Sequence, residues 1–369
     1  MGNDAPLYIG LMSGTSLDGI DAVLARFPAD APMQLLGHYH HPFPAALRAE
    51  LLALNQPGDN EIHRAALAAN GVARCYAELV DELLQATGRA AADIAALGAH
   101  GQTVRHRPGE FDGRGYTTQL LNGALLAELS GIATICDLRS RDVAAGGQGA
   151  PLVPAFHRAL FGRPGLASAV LNIGGISNIS LLNADGSTLG HDCGPGNCLM
   201  DLWIAEHLGR PFDAGGAWAA SGRVLPELLA AMLAEPYFAL PPPRSTGRDL
   251  FNRAWLQRHL GDGRFRPEDV QASLLELSAR SIAGEIPAGM PELLVCGGGA
   301  LNARLMQRLA ELLPATTVMA SDARGLPAMQ VEAAAFAWLA MRFRQGLTGN
   351  LPEVTGAAGP RLLGALYPA

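Results

Sequence analysis

Apolar positions fall in short runs at the start of the chain, in long helical stripes after residue 60, and in short runs again after residue 167. Positions 7–12 (Leu-Tyr-Ile-Gly-Leu-Met), 19–27 and 34–40 are apolar or alternating and are separated by turn residues, which predicts three strands of an antiparallel meander. A helix near 44–54 and a longer one over 60–86 follow. The second carries a stripe at Ile62, Ala66, Ala69, Ala73, Tyr76, Val80, Leu83 and Leu84 and stops before Gly88. Positions 94–99 read as a buried strand that His100-Gly101-Gln102-Thr103 continues, and the basic stretch 104–108 reads as exposed. Asn122 is placed to cap a helix over 122–130, and 132–136 is the next strand. Residues 1–137 thus form one α/β unit, with room for the C-terminal segment 345–369 to complete it.

The second half repeats the opening. A strand at 167–173, a polar glycine turn at 174–178, a strand at 179–182, the turn at 183–186 and a third short strand at 187–190 mirror the first three strands and their turns. A short acid-bearing loop, 190–197, leads into a helix over 199–208. Further helical stripes lie near 222–233, 248–259, 267–285 and 327–344, with strands at 292–296 and 316–319, and 241–248 reads as an ordered surface loop. The second unit is placed at 138–344. The segment 137–151, with two Asp–Arg pairs and three glycines, reads as an inter-domain crossing that also faces the functional site. The pattern as a whole predicts an α/β protein of two duplicated domains.

Three glycine turns carry candidate chemistry. In the first, 13–19, Gly14 and Gly19 free backbone N–H groups to converge, Ser13, Thr15 and Ser16 supply hydroxyls, and Asp18 is a carboxylate suited to Mg²⁺ held through water. The stretch fits both an ordinary hairpin tip and an anion site. The second turn, Gly174-Gly175-Ile176-Ser177-Asn178, sits at the same place in the repeat, and two such turns together suggest a grip on one polyphosphate from both sides. The third, Gly297-Gly298-Gly299, stands between a strand and a helix. It fits either a sharp loop or a surface for adenine and ribose, and it is not a dinucleotide fingerprint. Asp192, at a strand end beside a helix N-terminus, is where a general base belongs. His100 reads equally as a core histidine and a substrate contact, and its spacing to His106 fits no zinc or iron motif.

Composition narrows these readings. The chain has 369 residues, a net charge of −7, and 27 basic side chains that are all arginine. Without lysine there is no P-loop lysine and no Schiff base, so any phosphate must be held by backbone N–H groups, hydroxyls, metal and arginine. The negative charge and the lack of a basic tract exclude a general nucleic-acid binder. Five scattered cysteines without a CxxC pair suit a reduced, cytoplasmic protein with no zinc knuckle, and no signal peptide or membrane span is expected.

The motifs SGTSLDGIDAVL (13–24), GAHGQTVRHRP (98–108), AAGGQGAPLVP (144–154), LNIGGISNIS (171–180), DCGPGN (192–197) and CGGGALN (296–302) together resemble the anhydro-N-acetylmuramic acid kinases along essentially the whole chain. That resemblance implies two actin/hexokinase-like (ribonuclease H-like) domains around a central ATP cleft, and a homodimer. It implies an enzyme that uses ATP, Mg²⁺ and water to open the 1,6-anhydro ring of its sugar and phosphorylate O6. By the same likeness Asp192 is the base that activates water. Gly14, Thr15, Ser16, Leu17, Asp18, Gly19, Ile20 and Asp21 meet the ATP phosphates, with Asp18 at the metal, directly or through water. Gly174, Gly175, Ser177 and Asn178 meet the phosphates from the second domain, and Gly297, Gly298 and Gly299 border the adenosine. His100, Gln102, Thr103, Arg139 and Glu332 are the expected sugar contacts, with Arg139 matched to the lactyl carboxylate. Cys193 and Cys198 are expected to be small packing residues. The competing readings are another sugar or acid kinase of this fold and a non-catalytic ATP-binding sensor.

Overall fold

The computed structural model describes residues 5–14, 17, 19–242 and 244–369. The chain runs through strands β1 (Leu7–Met12), β2 (Ile20–Arg26) and β3 (Gln34–His41), then helices α1 (Ala45–Ala53) and α2 (Glu61–Thr87). Next come β4 (Ile94–Ala99), β5 (Gln102–Pro108), β6 (Gly115–Leu120), α3 (Gly123–Ser130), β7 (Thr134–Cys136), α4 (Ser140–Ala144) and α5 (Val153–Phe161). Strands β8 (Ser168–Ile173), β9 (Ile176–Leu182) and β10 (Thr188–Pro195) lead to helices α6 (Cys198–Leu208), α7 (Ala217–Ser221), α8 (Pro226–Leu233), α9 (Arg253–Leu260) and α10 (Pro267–Ala283). The chain ends with β11 (Glu292–Cys296), α11 (Ala303–Leu312), β12 (Thr317–Ala320), α12 (Val331–Arg344), α13 (Pro352–Thr355) and β13 (Ala365–Tyr367).

Residues 1–160 and 330–369 form one compact unit and 161–329 the other. In the first, the sheet runs β13-β7-β4-β1-β2-β3. The three-strand meander is antiparallel, while β4 joins β1, and β7 joins β4, in parallel. Alternation along β1 sends Ile9 and Leu11 into one apolar cluster with Val72, Tyr76, Leu79, Val80 and Leu83 of α2. Those α2 positions recur at three- and four-residue steps, and the helix ends on Gly88 in the left-handed region.

The intervening Gly10 faces the other way, against α12. A Cβ on Gly10 would lie 1.8 Å from the Ala333 carbonyl oxygen, and one on Gly98 of β4 would lie 2.0 Å from that of Phe336. Only hydrogen at these two sites lets the helix backbone rest on the sheet. From Ala333 to Met341 every residue of α12 is buried, so its sequence is apolar on all sides rather than striped.

The second unit has the sheet β10-β9-β8-β11-β12, with an antiparallel meander followed by two parallel additions. Strand order and sense match β3-β2-β1-β4-β7, so the duplication read from the turns is a duplication of topology. Trp255, Phe251, Leu274, Leu277, Leu293 and Val295 belong to its core. All five cysteines are free, and all but Cys75 are buried. Among the described residues no helix is long and apolar enough to cross a membrane.

The structure departs from the sequence expectation in five places. The division falls at 160 and 330 rather than at 137 and 344, because α12 packs on β1 and β4 of the first unit. Residues 137–151 are not an inter-domain crossing: they lie within the first unit, α4 forms there, and Asp142 is fully buried. Residues 100–103 do not prolong β4, since the chain turns at His100 and Gly101 and β5 pairs with β6 in a separate ribbon. The basic stretch 104–108 is part of that ribbon, with Val104 buried and Arg105 bound to Glu61 at 2.7 Å. Ser177 and Asn178 belong to β9, and Asp192 lies inside β10 opposite Asn178, beside a register shift, rather than in a loop.

Gly98→Ala tests the close approach of α12. The added methyl has a backbone carbonyl in its place and no flexible atom to displace, so stability falls by about 3 kcal/mol or more. Urea unfolding measures it; an unchanged midpoint would contradict the packing described.

Candidate active site

The first glycine turn joins β1 to β2. Ser13 is buried, bonds the Tyr76 hydroxyl at 3.0 Å and donates to the Gly101 carbonyl at 3.1 Å. Gln102 Nε2 donates to the Gly14 carbonyl at 3.1 Å. Leu17 is held at φ 56°, a region that disfavours its side chain; its N–H donates to Gly14 at 3.2 Å and its carbonyl accepts from Arg48 Nε at 2.8 Å. Tyr76, Gln102 and Arg48 thus pin this turn, the last two through its backbone. The Leu17 and Ile20 side chains are core, so only their backbone is available to a ligand. Asp21 accepts from His38 at 3.0 Å and His40 at 3.2 Å across the strand pair. Burial alone would raise its pKa, but those two hydrogen bonds bring it below the ordinary value. Thr15, Ser16 and Asp18 lie outside the described residues, so the expected metal carboxylate has no structural account. Among the described residues no cluster of three His, Cys, Asp or Glu is placed to hold a metal.

Most of the expected sugar contacts form one connected set in this unit. Arg139 Nε donates to His100 Nε2 at 3.0 Å, and His100 Nδ1 bonds the Gly101 carbonyl at 2.7 Å. Those bonds require the neutral Nδ1–H tautomer. Burial, helped by the Arg139 charge, pushes the His100 pKa down to about 3, so the ring stays neutral. Arg139 Nη1 also donates to the Gly149 carbonyl at 2.8 Å. Burial lowers the arginine pKa to about 10, opposed by attraction to Glu332 and Asp142. Thr103 stands apart on β5, where its hydroxyl accepts from Gln119 at 3.2 Å.

The segment that presents Arg139 is anchored by Asp142. One carboxylate oxygen accepts from Gly149 N–H at 2.7 Å; the other accepts from Asn350 Nδ2 at 2.6 Å and the Thr355 hydroxyl at 2.8 Å. A fully buried carboxylate with three donors is satisfied, and removing it would orphan all three.

In the second unit Asp192 is the focus. Its Oδ2 accepts from the Thr246 N–H at 2.9 Å; its carbonyl accepts from the Tyr237 hydroxyl at 2.8 Å and from Arg244 Nε at 3.3 Å. Burial pushes its pKa up to about 6, against the Thr246 hydrogen bond and the charges of His191 and Arg244. Arg244 also stacks over the Tyr237 ring at 5.2 Å and pairs with Glu285, whose other oxygen bonds His191 at 2.7 Å. Burial would raise the Glu285 pKa, but His191 and Arg244 hold it below the usual value. A carboxylate with a pKa near neutrality, with one oxygen fixed and no hydrogen bond to Oδ1 among the described residues, suits a general base.

The second and third glycine turns of this unit meet at the end of β8 and the start of α6. The Gly175 carbonyl accepts from Gly196 N–H at 2.9 Å and Cys198 N–H at 3.1 Å, and that of Gly174 accepts from Asn197 N–H at 2.9 Å. These bonds tie the start of α6 to the second turn. Gly297 has φ 77°, and a Cβ there would lie 2.3 Å from Asn172 Oδ1, so glycine is required on both counts. Asn172 Oδ1 is buried and has no partner. That orphaned acceptor beside open backbone fits a donor-bearing ligand such as a nucleoside.

Sequence reasoning did not find Tyr237, Arg244, Thr246 or Glu285. Arg244 and Thr246 lie in the stretch read as a surface loop, Glu285 at the end of a predicted helix, and Tyr237 in no predicted element. The hydroxyl-and-glycine run Ser245-Thr246-Gly247, which resembles the opening turn, was the available signal.

Two sheets of one topology, each with a glycine turn after its first strand and one carrying a carboxylate opposite the end of that turn, define an actin/hexokinase-like fold. The family is narrower: the model for "Anhydro-N-acetylmuramic acid kinase" matches residues 6–369, and the chain belongs to that family. It is 61% identical to the anhydro-N-acetylmuramic acid kinase of Variovorax paradoxus, over 98% of this chain and 99% of that protein. It is 58% identical to that of Cupriavidus pinatubonensis, over 98% of each, and 56% identical to that of Pseudomonas paraeruginosa, over 99% of each.

Asp142→Ala leaves three buried donors unpaired. Stability should fall by about 3 kcal/mol or more. Denaturation of purified protein measures this, and a loss under about 1 kcal/mol would show that Asp142 is not the anchor.

Proposed function

We propose that this chain is an ATP-dependent kinase that hydrolytically opens the 1,6-anhydro ring of 1,6-anhydro-N-acetylmuramic acid and phosphorylates O6. The products are N-acetylmuramic acid 6-phosphate and ADP, and the reaction belongs to peptidoglycan recycling. The observation that carries the reading is Asp192, a carboxylate raised to about 6 and held within β10, in a chain of this family. Asp192 takes a proton from water as the water oxygen bonds the anomeric carbon. The bond from that carbon to O6 breaks, and O6 takes the γ-phosphoryl group as ADP leaves. The proton on Asp192 returns to solvent.

The remaining residues have roles that fit this chemistry. The first glycine turn offers backbone N–H groups to the ATP phosphates, and Gly174, Gly175, Ser177 and Asn178 do so from the second unit. Gly297, Gly298 and Gly299 border the nucleoside, where Asn172 Oδ1 accepts a hydrogen bond. Arg139, kept charged by a pKa near 10, answers the lactyl carboxylate, and His100 and Glu332 hold it in place. Mg²⁺ bound with the phosphates would neutralise charge developing on them, with Asp18 of the first turn as its carboxylate, directly or through water. The enzyme acts in the cytoplasm as a homodimer; five free cysteines fit that compartment.

Incubation with ATP, Mg²⁺ and the anhydro sugar in H₂¹⁸O should place the label on the anomeric hydroxyl and none in phosphate. Label in phosphate, or turnover of common hexoses but not the anhydro sugar, would overturn the reading. Asp192→Asn should lower kcat by about 10²- to 10⁴-fold with ATP affinity within about twofold.

The pH profile gives an independent check. Asp192 works only when ionised, so kcat/KM for the sugar should fall tenfold per unit below a pKa of about 6. An ordinary aspartate would place that limb near about 4. Arg244 favours the ionised form, so Arg244→Met should move the limb upward; movement downward would contradict the electrostatics described.

A further inference from the structure

The segment 244–248 (Arg-Ser-Thr-Gly-Arg) reaches from the base to the second glycine turn. At its start, Arg244 is spent on Glu285, the Asp192 carbonyl and the Tyr237 ring. In its middle, Thr246 gives its N–H to Asp192, while its hydroxyl is buried and has no partner. At its end, Arg248 is exposed, with Nη2 and Nε at 3.4 Å and 3.6 Å from where a Gly175 Cβ would stand. Cys198, the first residue of α6, lies 3.7 Å from the same point. No carboxylate among the described residues forms an ion pair with Arg248. An unpaired guanidinium lying over a glycine turn, in a chain without lysine, has the charge and the fork of donors that a phosphate group takes.

We infer that Arg248 binds the nucleotide's terminal phosphates at the Gly174 and Gly175 turn, supplying the positive side chain that a lysine would supply elsewhere. The inference rests on the kinase reading above. A Cβ on Gly175 would stand in ordinary contact with the guanidinium, so the side chain of Arg248 lies directly over the turn. Thr246, with its hydroxyl unpartnered beside Asp192, marks the same segment as lining the ligand rather than covering the surface.

Binding by phosphate number tests this without turnover. ATP, ADP and AMP are titrated into wild type, Arg248→Met and Arg248→Lys, with Mg²⁺ present. In Arg248→Met, ATP affinity should fall about 30-fold and ADP affinity less, with AMP affinity unchanged. Arg248→Lys should recover part of the loss, because it restores the charge but not the fork. Sugar affinity measured without nucleotide should stay within about twofold in both variants. Equal losses for all three nucleotides, or none, would overturn the inference, as would weakened sugar binding. Circular dichroism melts should match wild type, since the side chain is exposed; a lowered melting temperature would mean a structural role and also overturn it. Should wild type fail to phosphorylate the anhydro sugar, the kinase reading fails, while the nucleotide series still decides what Arg248 holds.

Discussion

The proposed reaction depends on shielding one carboxylate, Asp192, from water without neutralising it. Asp192 sits within a strand, and its surroundings raise its pKa to about 6, near the working range of a base. Burial alone would push the group further and keep it protonated. Arg244, His191 and the Thr246 N–H oppose that drift, and Glu285 holds both of those side chains in turn. The result is a balance of desolvation against directed donors, in which the strand supplies position and the segment 237–246 supplies charge. A register shift in β10 beside Asp192 gives the strand the local freedom to present the side chain to that segment.

The same logic runs through the first unit with different partners. His100 is kept neutral by burial and by Arg139, so it accepts from that guanidinium rather than competing with it. Asp142 holds the segment carrying Arg139 by collecting one donor from Gly149 within it and two from the C-terminal stretch 350–355. Each buried charge is matched by groups distant in sequence, so these contacts also fix which segments meet.

How much of this was legible in the sequence follows from that distance. The meanders, α2, the cap at Asn122 and the duplicated turns were readable because each rests on local periodicity or on residues a few positions apart. The family motifs carried Asp192 and the glycine turns. Ranges failed where tertiary contacts overrode composition. Residues 137–151 look like a linker, yet they fold around Asp142 because Asn350 and Thr355 come from the far end of the chain. The helix α12 lacks an amphipathic stripe, so nothing in its own pattern assigns it to the first unit; Gly10 and Gly98 do, and glycine inside a strand signals close approach only once the approaching element is known. Glu285, at a helix end 93 positions beyond Asp192 in sequence, offered no signal at all.

The absence of lysine gives the two prominent arginines of these sites opposite constraints. A lysine buried as Arg139 is would lose its proton readily, whereas a guanidinium with a pKa still near 10 stays charged and keeps its donors in one plane. Arg139 therefore works as a fixed fork, with two donors already committed to His100 and Gly149 and the remainder available to an anion. Arg248 is exposed and uncommitted, so water screens its charge and its strength must come from geometry: a planar donor set over backbone with no side chain in the way. The second turn meets that requirement, because Gly175 places only hydrogen between its backbone and the guanidinium.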